Sequence, residues 1–248
     1  MSQTNKVFVI TGASKGIGKA IALRAARDGA SIVINYLSDK SSADALVSQI
    51  GSNRALAVQA DASTLEGIDK LISAAVEKFG KIDVVIPNAG TMPMATLSAA
   101  TPEAFDKVMN LNVKGPLFLV QKAVPHMPAA GGSRVIFVST GLNTASGVSP
   151  AYLLYVASKG AVDQLTRVLS KELAGKRITV NAVAPGPTAT DLFFEGKSEQ
   201  VVRMLEGQSP FDRLGTPEEI AEVVVFLAGE GGSWVSGQVI RTNGANMV

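Results

Sequence analysis

The sequence predicts an α/β fold, a doubly wound sheet of seven mainly parallel strands with helices on both faces. Two observations carry this. Short apolar, β-rich runs alternate with longer stretches whose apolar residues recur at three and four, from one end of the chain to the other. The 248 residues are 46% hydrophobic and 18% charged, which suits one large packed domain over 1–248 better than two small ones.

The elements follow in order. Val-Phe-Val-Ile at 7–10 is the first strand, and the glycine-rich turn after it opens a helix over 17–28. A strand at 31–34 leads to a Ser-started helix at 41–50, and a strand at 55–58 to a helix at 65–79. The fourth strand, 84–87, feeds one long helix over 102–124, and the fifth, 135–138, a helix over 152–174. Strands at 179–183 and 239–242 enclose a last helix at 217–228. Two connections, from 139 to 151 and from 185 to about 214, are too long for simple turns and are rich in Gly, Ser, Thr and Pro. Ligands of open α/β sheets bind beyond the carboxyl ends of the strands, so both are read as site walls or lids.

Composition removes whole classes of function. The 23 Lys and Arg against 21 Asp and Glu leave a net charge of +2, no basic field for nucleic acid or an anionic membrane. No apolar run reaches the length of about eighteen residues that crosses a bilayer. Without Cys there is no disulfide, thiolate nucleophile or thiolate metal site, and the single His126 leaves no metal reading. The first residues lack a signal-peptide pattern, so the chain is expected to work in the cytoplasm.

The chemistry begins at Thr11-Gly12-Ala13-Ser14-Lys15-Gly16-Ile17-Gly18, between strand and helix. Glycines there permit a tight turn and close approach, and a helix N-terminus offers free N–H groups to a diphosphate; a plain strand-helix turn is the bland alternative. Tyr-x-x-x-Lys occurs twice, at Tyr36 with Lys40 and at Tyr155 with Lys159. Only the second lies in a helical stretch, where residues four apart share a face. A nearby ammonium there is expected to favour the phenolate of Tyr155.

The Gly-x3-Gly-x-Gly spacing resembles that of the short-chain dehydrogenase/reductase family, whose Rossmann-type sheet binds NAD(P). Further matches are collinear: Asp61 after the third strand, Asn88-Ala89-Gly90 after the fourth, Asn112, Tyr155 with Lys159, and Pro185-Gly186 after the sixth. Pro87 stands where the family usually has Asn. The resemblance implies that Tyr155 exchanges the proton with a carbonyl, that Lys159 supports it and holds the ribose, and that Asn112 carries a water relay. Asp61, with Ala62 beside it, is implied to order the adenine end, a helix-capping role being the alternative. The family's substrate-binding Ser falls on Thr140 by counting from the strand end, with Ser139 second. Thr188 and Thr190 join Pro185 and Gly186 on the far wall.

The cofactor expected is NADP(H). The second strand ends Asn35-Tyr36-Leu37-Ser38 without an acid before Asp39, and Lys15 with Asn35, Tyr36 and Ser38 is expected to receive a 2′-phosphate. Together with Gly12, Ser14, Gly16, Ile17 and Gly18 these complete the cofactor set. The reading is an NADPH-dependent reductase acting on a small carbonyl or alcohol substrate, with no metal. An NAD-dependent alcohol or polyol dehydrogenase and a non-catalytic dinucleotide sensor or scaffold are the rivals. The resemblance also implies a homotetramer or homodimer paired through the helices at 102–124 and 152–174. His126 reads as a solvated or capping residue and Trp234 as packing in its turn or at a subunit contact. Leu192-Phe193-Phe194 reads as a lid or a buried loop anchor.

Overall fold

The computed structural model describes residues 2–247. Its strands are β1 Val7–Ile10, β2 Ser31–Tyr36, β3 Ala55–Gln59, β4 Val84–Ile86, β5 Arg134–Val138, β6 Thr179–Pro185 and β7 Val239–Thr242. They form one sheet in the order β3-β2-β1-β4-β5-β6-β7. Every pairing is parallel, with Ile10 opposite both Ile34 and Ile86. The order reverses between β1 and β4, which opens a crevice at their carboxyl ends.

Successive strand residues face opposite sides, so Phe8, Ile10, Ile32, Ile34 and Ile86 pack under α1 Gly16–Arg27, α2 Lys40–Ile50 and α9 Pro217–Ala228. Val9, Val33, Val85, Val135 and Phe137 pack under α3 Leu65–Phe79, α5 Gly115–Ala123 and α6 Leu153–Glu172. Burial on both faces is why the strands read as continuous apolar runs rather than alternating ones. Among the described residues no helix is long and apolar enough to cross a membrane.

Several boundaries differ from expectation. β4 ends at Ile86 because Pro87 has no N–H for the ladder. The helix expected over 102–124 is broken into α4 Pro102–Met109, a π turn at Asn110–Lys114, α5, and a 3-10 turn at Val124–His126. Gly115 marks the break: a Cβ there would lie 2.2 Å from the Ala62 carbonyl oxygen. The connection after β6 is not a bare loop. It holds α7 Asp191–Phe194 and α8 Glu199–Gly207, with Thr190 accepting from Phe193 N and Ser198 from Val201 N. Trp234 does not pack in its turn and stands 98% exposed, and His126 is exposed at a helix end.

Candidate active site

The glycine turn is shaped for a close ligand. Gly12 has φ 61° and a Cβ on it would lie 3.1 Å from Ala89 Cα; Gly16 has φ 55°. Both sit in the left-handed region, where a side chain is strained. α3 and α9 are capped by the side chains of Thr64 and Thr216, whereas the N-cap of α1, Lys15, makes no side-chain cap. Its first amides are therefore left for an anion, and the residues fit a dinucleotide diphosphate.

Two side-chain amides, Asn35 buried and Asn88 half-buried, hold this turn. Asn88 Nδ2 donates to Thr11 O at 2.9 Å and Gly12 O at 3.1 Å. Asn35 Oδ1 accepts from Gly12 N at 3.2 Å while its Nδ2 donates to Ala60 O at 2.8 Å. The Asn35 amide is committed to backbone and ties the turn to the end of β3, while Asn35, Tyr36 and Ser38 all line the cavity at this turn. The Tyr36 side chain likewise lies in the core beneath α2. Ser38 is exposed, and Lys15 reaches Asp191 at 3.8 Å with both side chains mostly in solvent. Asp39 turns its carboxylate onto Ser42 N at 3.0 Å, and that bond, first among its influences, lowers its pKa.

A cavity of about 1440 Å³ runs from this turn across the strand ends. Gly12, Ser14, Lys15, Gly16, Ile17, Asp61, Ala62, Asn88, Ala89 and Gly90 line one end, with Pro185, Gly186, Thr188 and Thr190 across from them. Asp61 Oδ1 accepts from Ser63 N at 2.8 Å and Ser63 Oγ at 2.6 Å, while Thr64 caps α3. Gly18 is not in the lining; it lies behind the turn, where a Cβ would meet Gly12 O at 2.5 Å.

At the other end stand Thr140, Tyr155 and Lys159. Burial pushes the Tyr155 hydroxyl up to about 12, partly countered by a hydrogen bond with the Thr140 side chain. Burial also pulls Lys159 down to about 8, and its Nζ donates to Val138 O at 2.6 Å. Lys159 lies 5.9 Å from the Tyr155 ring centroid. The lowering expected from this lysine is not among the influences on Tyr155, where desolvation by burial dominates.

Asn112 does not reach the cavity. It is fully buried in the π turn, accepting from Thr91 N at 2.9 Å and donating to Thr91 O at 2.9 Å and Ser158 Oγ at 3.0 Å. Its side chain positions the Gly90-Thr91 wall and α6, with both Nδ2 donors and one of the two Oδ1 lone pairs engaged. Ser139 Oγ is taken by Asp163 at 2.5 Å, leaving Thr140 as the hydroxyl beside Tyr155.

Residues the sequence reading missed complete the substrate end. Tyr152, three residues before Tyr155, lines the cavity and its hydroxyl pKa is raised by burial. Helical spacing of three was the signal available for it. Met204 and Leu205 of α8 and Met247 near the chain end also line it, and nothing local in the sequence brings them there.

Sheet order, glycine turn and the Tyr155–Lys159 helix define the class, an oxidoreductase built on a Rossmann-type sheet for a nicotinamide dinucleotide. A family model described as Enoyl-(Acyl carrier protein) reductase matches residues 12–244. A short-chain type dehydrogenase/reductase of Picea abies is 39% identical over 252 residues, covering 98% of this chain and 92% of that one. A versicolorin reductase of Emericella nidulans is 38% identical, covering 96% and 94%. Among solved structures, an angucycline C-6 ketoreductase with bound NADP superposes with a TM-score of 0.91 at 36% identity, covering 98% of this chain and 96% of that chain. The chain belongs to the short-chain dehydrogenase/reductase family.

Proposed function

We propose that this protein is an NADPH-dependent reductase of neutral, fused-ring ketones, with Tyr155 as the general acid. The observation that carries the reading is Tyr155 with the Thr140 hydroxyl and the Lys159 amine beside it, in one cavity with an uncapped glycine turn. The bound dinucleotide supplies a hydride. Thr140 donates to the ketone oxygen and orients it, Tyr155 gives its proton to that oxygen as negative charge develops, and Lys159 stabilises the resulting phenolate. Met92, Leu142, Tyr152, Phe193, Met204 and Met247 give the substrate end an apolar lining, which suits flat, uncharged rings. The versicolorin and angucycline reductases among the relatives support the same substrate class. We read the protein as cytoplasmic.

NADPH is preferred because Lys15 stands at the glycine turn, held only by a loose, largely solvated ion pair with Asp191 at 3.8 Å, while the Asp39 carboxylate is held on the α2 N-terminus. The test is turnover of a fused-ring ketone panel, β-tetralone included, with each cofactor. Higher kcat/KM with NADPH is expected, and Lys15→Ala should weaken NADPH more than NADH, by roughly fivefold or more for one exposed charge-assisted contact. Better efficiency with NADH would overturn the preference.

We also read the protein as a homodimer or homotetramer paired through α4, α5 and α6. Phe105 on α4 and Val168 on α6 are 47% and 56% exposed, apolar side chains on those helices. Light scattering should give a mass at least twice 25.7 kDa; a monomer at micromolar concentration would reject the pairing.

A further inference from the structure

Asp163 lies on α6 one turn beyond Lys159 and is half-buried. Both its oxygens are taken by the connection that follows β5. Oδ1 accepts from Ser139 Oγ at 2.5 Å and Oδ2 from Asn143 Nδ2 at 2.5 Å. Asn143 Nδ2 also reaches Ser139 Oγ at 3.3 Å, which closes a triangle. Thr140 sits between the two clamped residues, and its Oγ1 accepts from Leu142 N at 3.3 Å. Hydrogen bonds to a carboxylate are roughly twice as strong as neutral ones, so this clamp outweighs the local turn in fixing the segment. Displacing a reacting group by about 1 Å can cost on the order of a hundredfold in rate.

We propose that Asp163 is a positioning residue of the reaction. By clamping Ser139 and Asn143 on either side of Thr140 it fixes the Thr140 hydroxyl against Tyr155, and it places a negative charge one helical turn from the Lys159 ammonium. The inference rests on the roles given above to Thr140, Tyr155 and Lys159, and it gives Ser139 a task that is not substrate contact.

Around Lys159 the other elements bring no charge. β5 offers the Val138 carbonyl, the π turn the neutral amide of Asn112, the wall after β4 Gly90, and α6 itself the protonated Tyr155. Among the described residues Asp163 is the one charge acting on this amine, and it raises the pKa that burial lowers. The Asn143 Oδ1 atom is buried with no partner among the described residues. If residue 163 became an amide, Asn143 could turn over and accept from it, so the clamp would survive without the charge.

That separates the two tasks experimentally. With the panel ketone that wild type reduces fastest, Asp163→Ala should lower kcat about tenfold or more while NADPH affinity stays within a few fold. Asp163→Asn should keep near wild-type kcat at pH 6.5. Its alkaline limb, expected in wild type as pH rises through about 8, should move to lower pH. A purely structural role would not move that limb. Wild-type kcat in Asp163→Ala, or an unmoved limb in Asp163→Asn, overturns the inference. Should the alanine variant fail to fold, the asparagine profile still decides. Thr140→Val measured alongside tells the failures apart: loss there with a silent Asp163 rejects this inference alone, whereas no loss at Thr140 or in Tyr155→Phe rejects the site reading and the inference with it.

Discussion

Tyr155→Phe is expected to lower ketone turnover by at least about a hundredfold, the scale of lost general acid catalysis, with NADPH affinity preserved. The ring remains and fills the same buried volume; only the proton is removed. The hydroxyl is held protonated by burial, near 12, so this loss should be seen across the neutral range. Thr140→Val keeps the shape and removes a donor that orients without exchanging the proton, so its loss should be smaller. Thr140→Ser should stay active. Ser139→Ala should cost only a few fold, since Ser139 Oγ faces Asp163. Equal turnover of wild type and Tyr155→Phe, measured by NADPH consumption, would remove Tyr155 from the reaction.

Gly18→Ala should be the most damaging one-carbon change in the cofactor turn. The added Cβ would stand 2.5 Å from Gly12 O, 2.6 Å from Asn88 Nδ2 and 2.9 Å from Ala13 Cα. Two of these are backbone atoms and the third is fixed by its bonds to Thr11 O and Gly12 O, so the turn itself must move. Overpacking of this kind costs about 1–3 kcal/mol. For a chain of this length about 2 kcal/mol lowers Tm by roughly 4–8 °C. Because the displaced atoms form the diphosphate turn, NADPH affinity should fall more than tenfold as well. Gly207→Ala in α8, where a Cβ meets nothing within 4 Å, is the control and should leave both unchanged. Calorimetry and cofactor titration check both, and a normal NADPH affinity in Gly18→Ala would show that the turn relaxes freely.

The strands were legible because burial on both faces makes each one an unbroken apolar run, as Phe8 and Ile10 on one face and Val9 on the other illustrate. The doubly wound, parallel character of the sheet was carried by the alternation with helices and by the family resemblance. Less legible were places where long-range contacts override local pattern. At Gly115, where the π turn gives way to α5, the Ala62 carbonyl, far away in sequence, leaves no room for a Cβ. α8 was missed although Val201, Val202, Met204 and Leu205 recur at three and four and Ser198 was a readable cap; its nine residues sit inside a stretch rich in loop residues. In the site, spacing located Tyr155 and Lys159, but not which groups their neighbours would engage. Asn35, Asn112 and Ser139 look like ligand-facing polar residues in sequence, yet each spends its side chain on Gly12, Thr91 or Asp163. Asp163 belongs to no motif, and its partners lie 24 and 20 residues away. The rise of the Tyr155 pKa also depends on depth of burial, which four-residue spacing does not reveal.

Hydride transfer from NADPH to a carbonyl carbon is tested most directly by isotope. Purified protein is incubated with a fused-ring ketone and NADPH carrying deuterium at the transferable position of its nicotinamide ring, and the alcohol is read by mass spectrometry. One deuterium on the carbinol carbon, lost together with product formation in Tyr155→Phe, is the expected result. An alcohol formed without the label, or no NADPH-dependent product from any ketone of the panel, would contradict the proposed reaction.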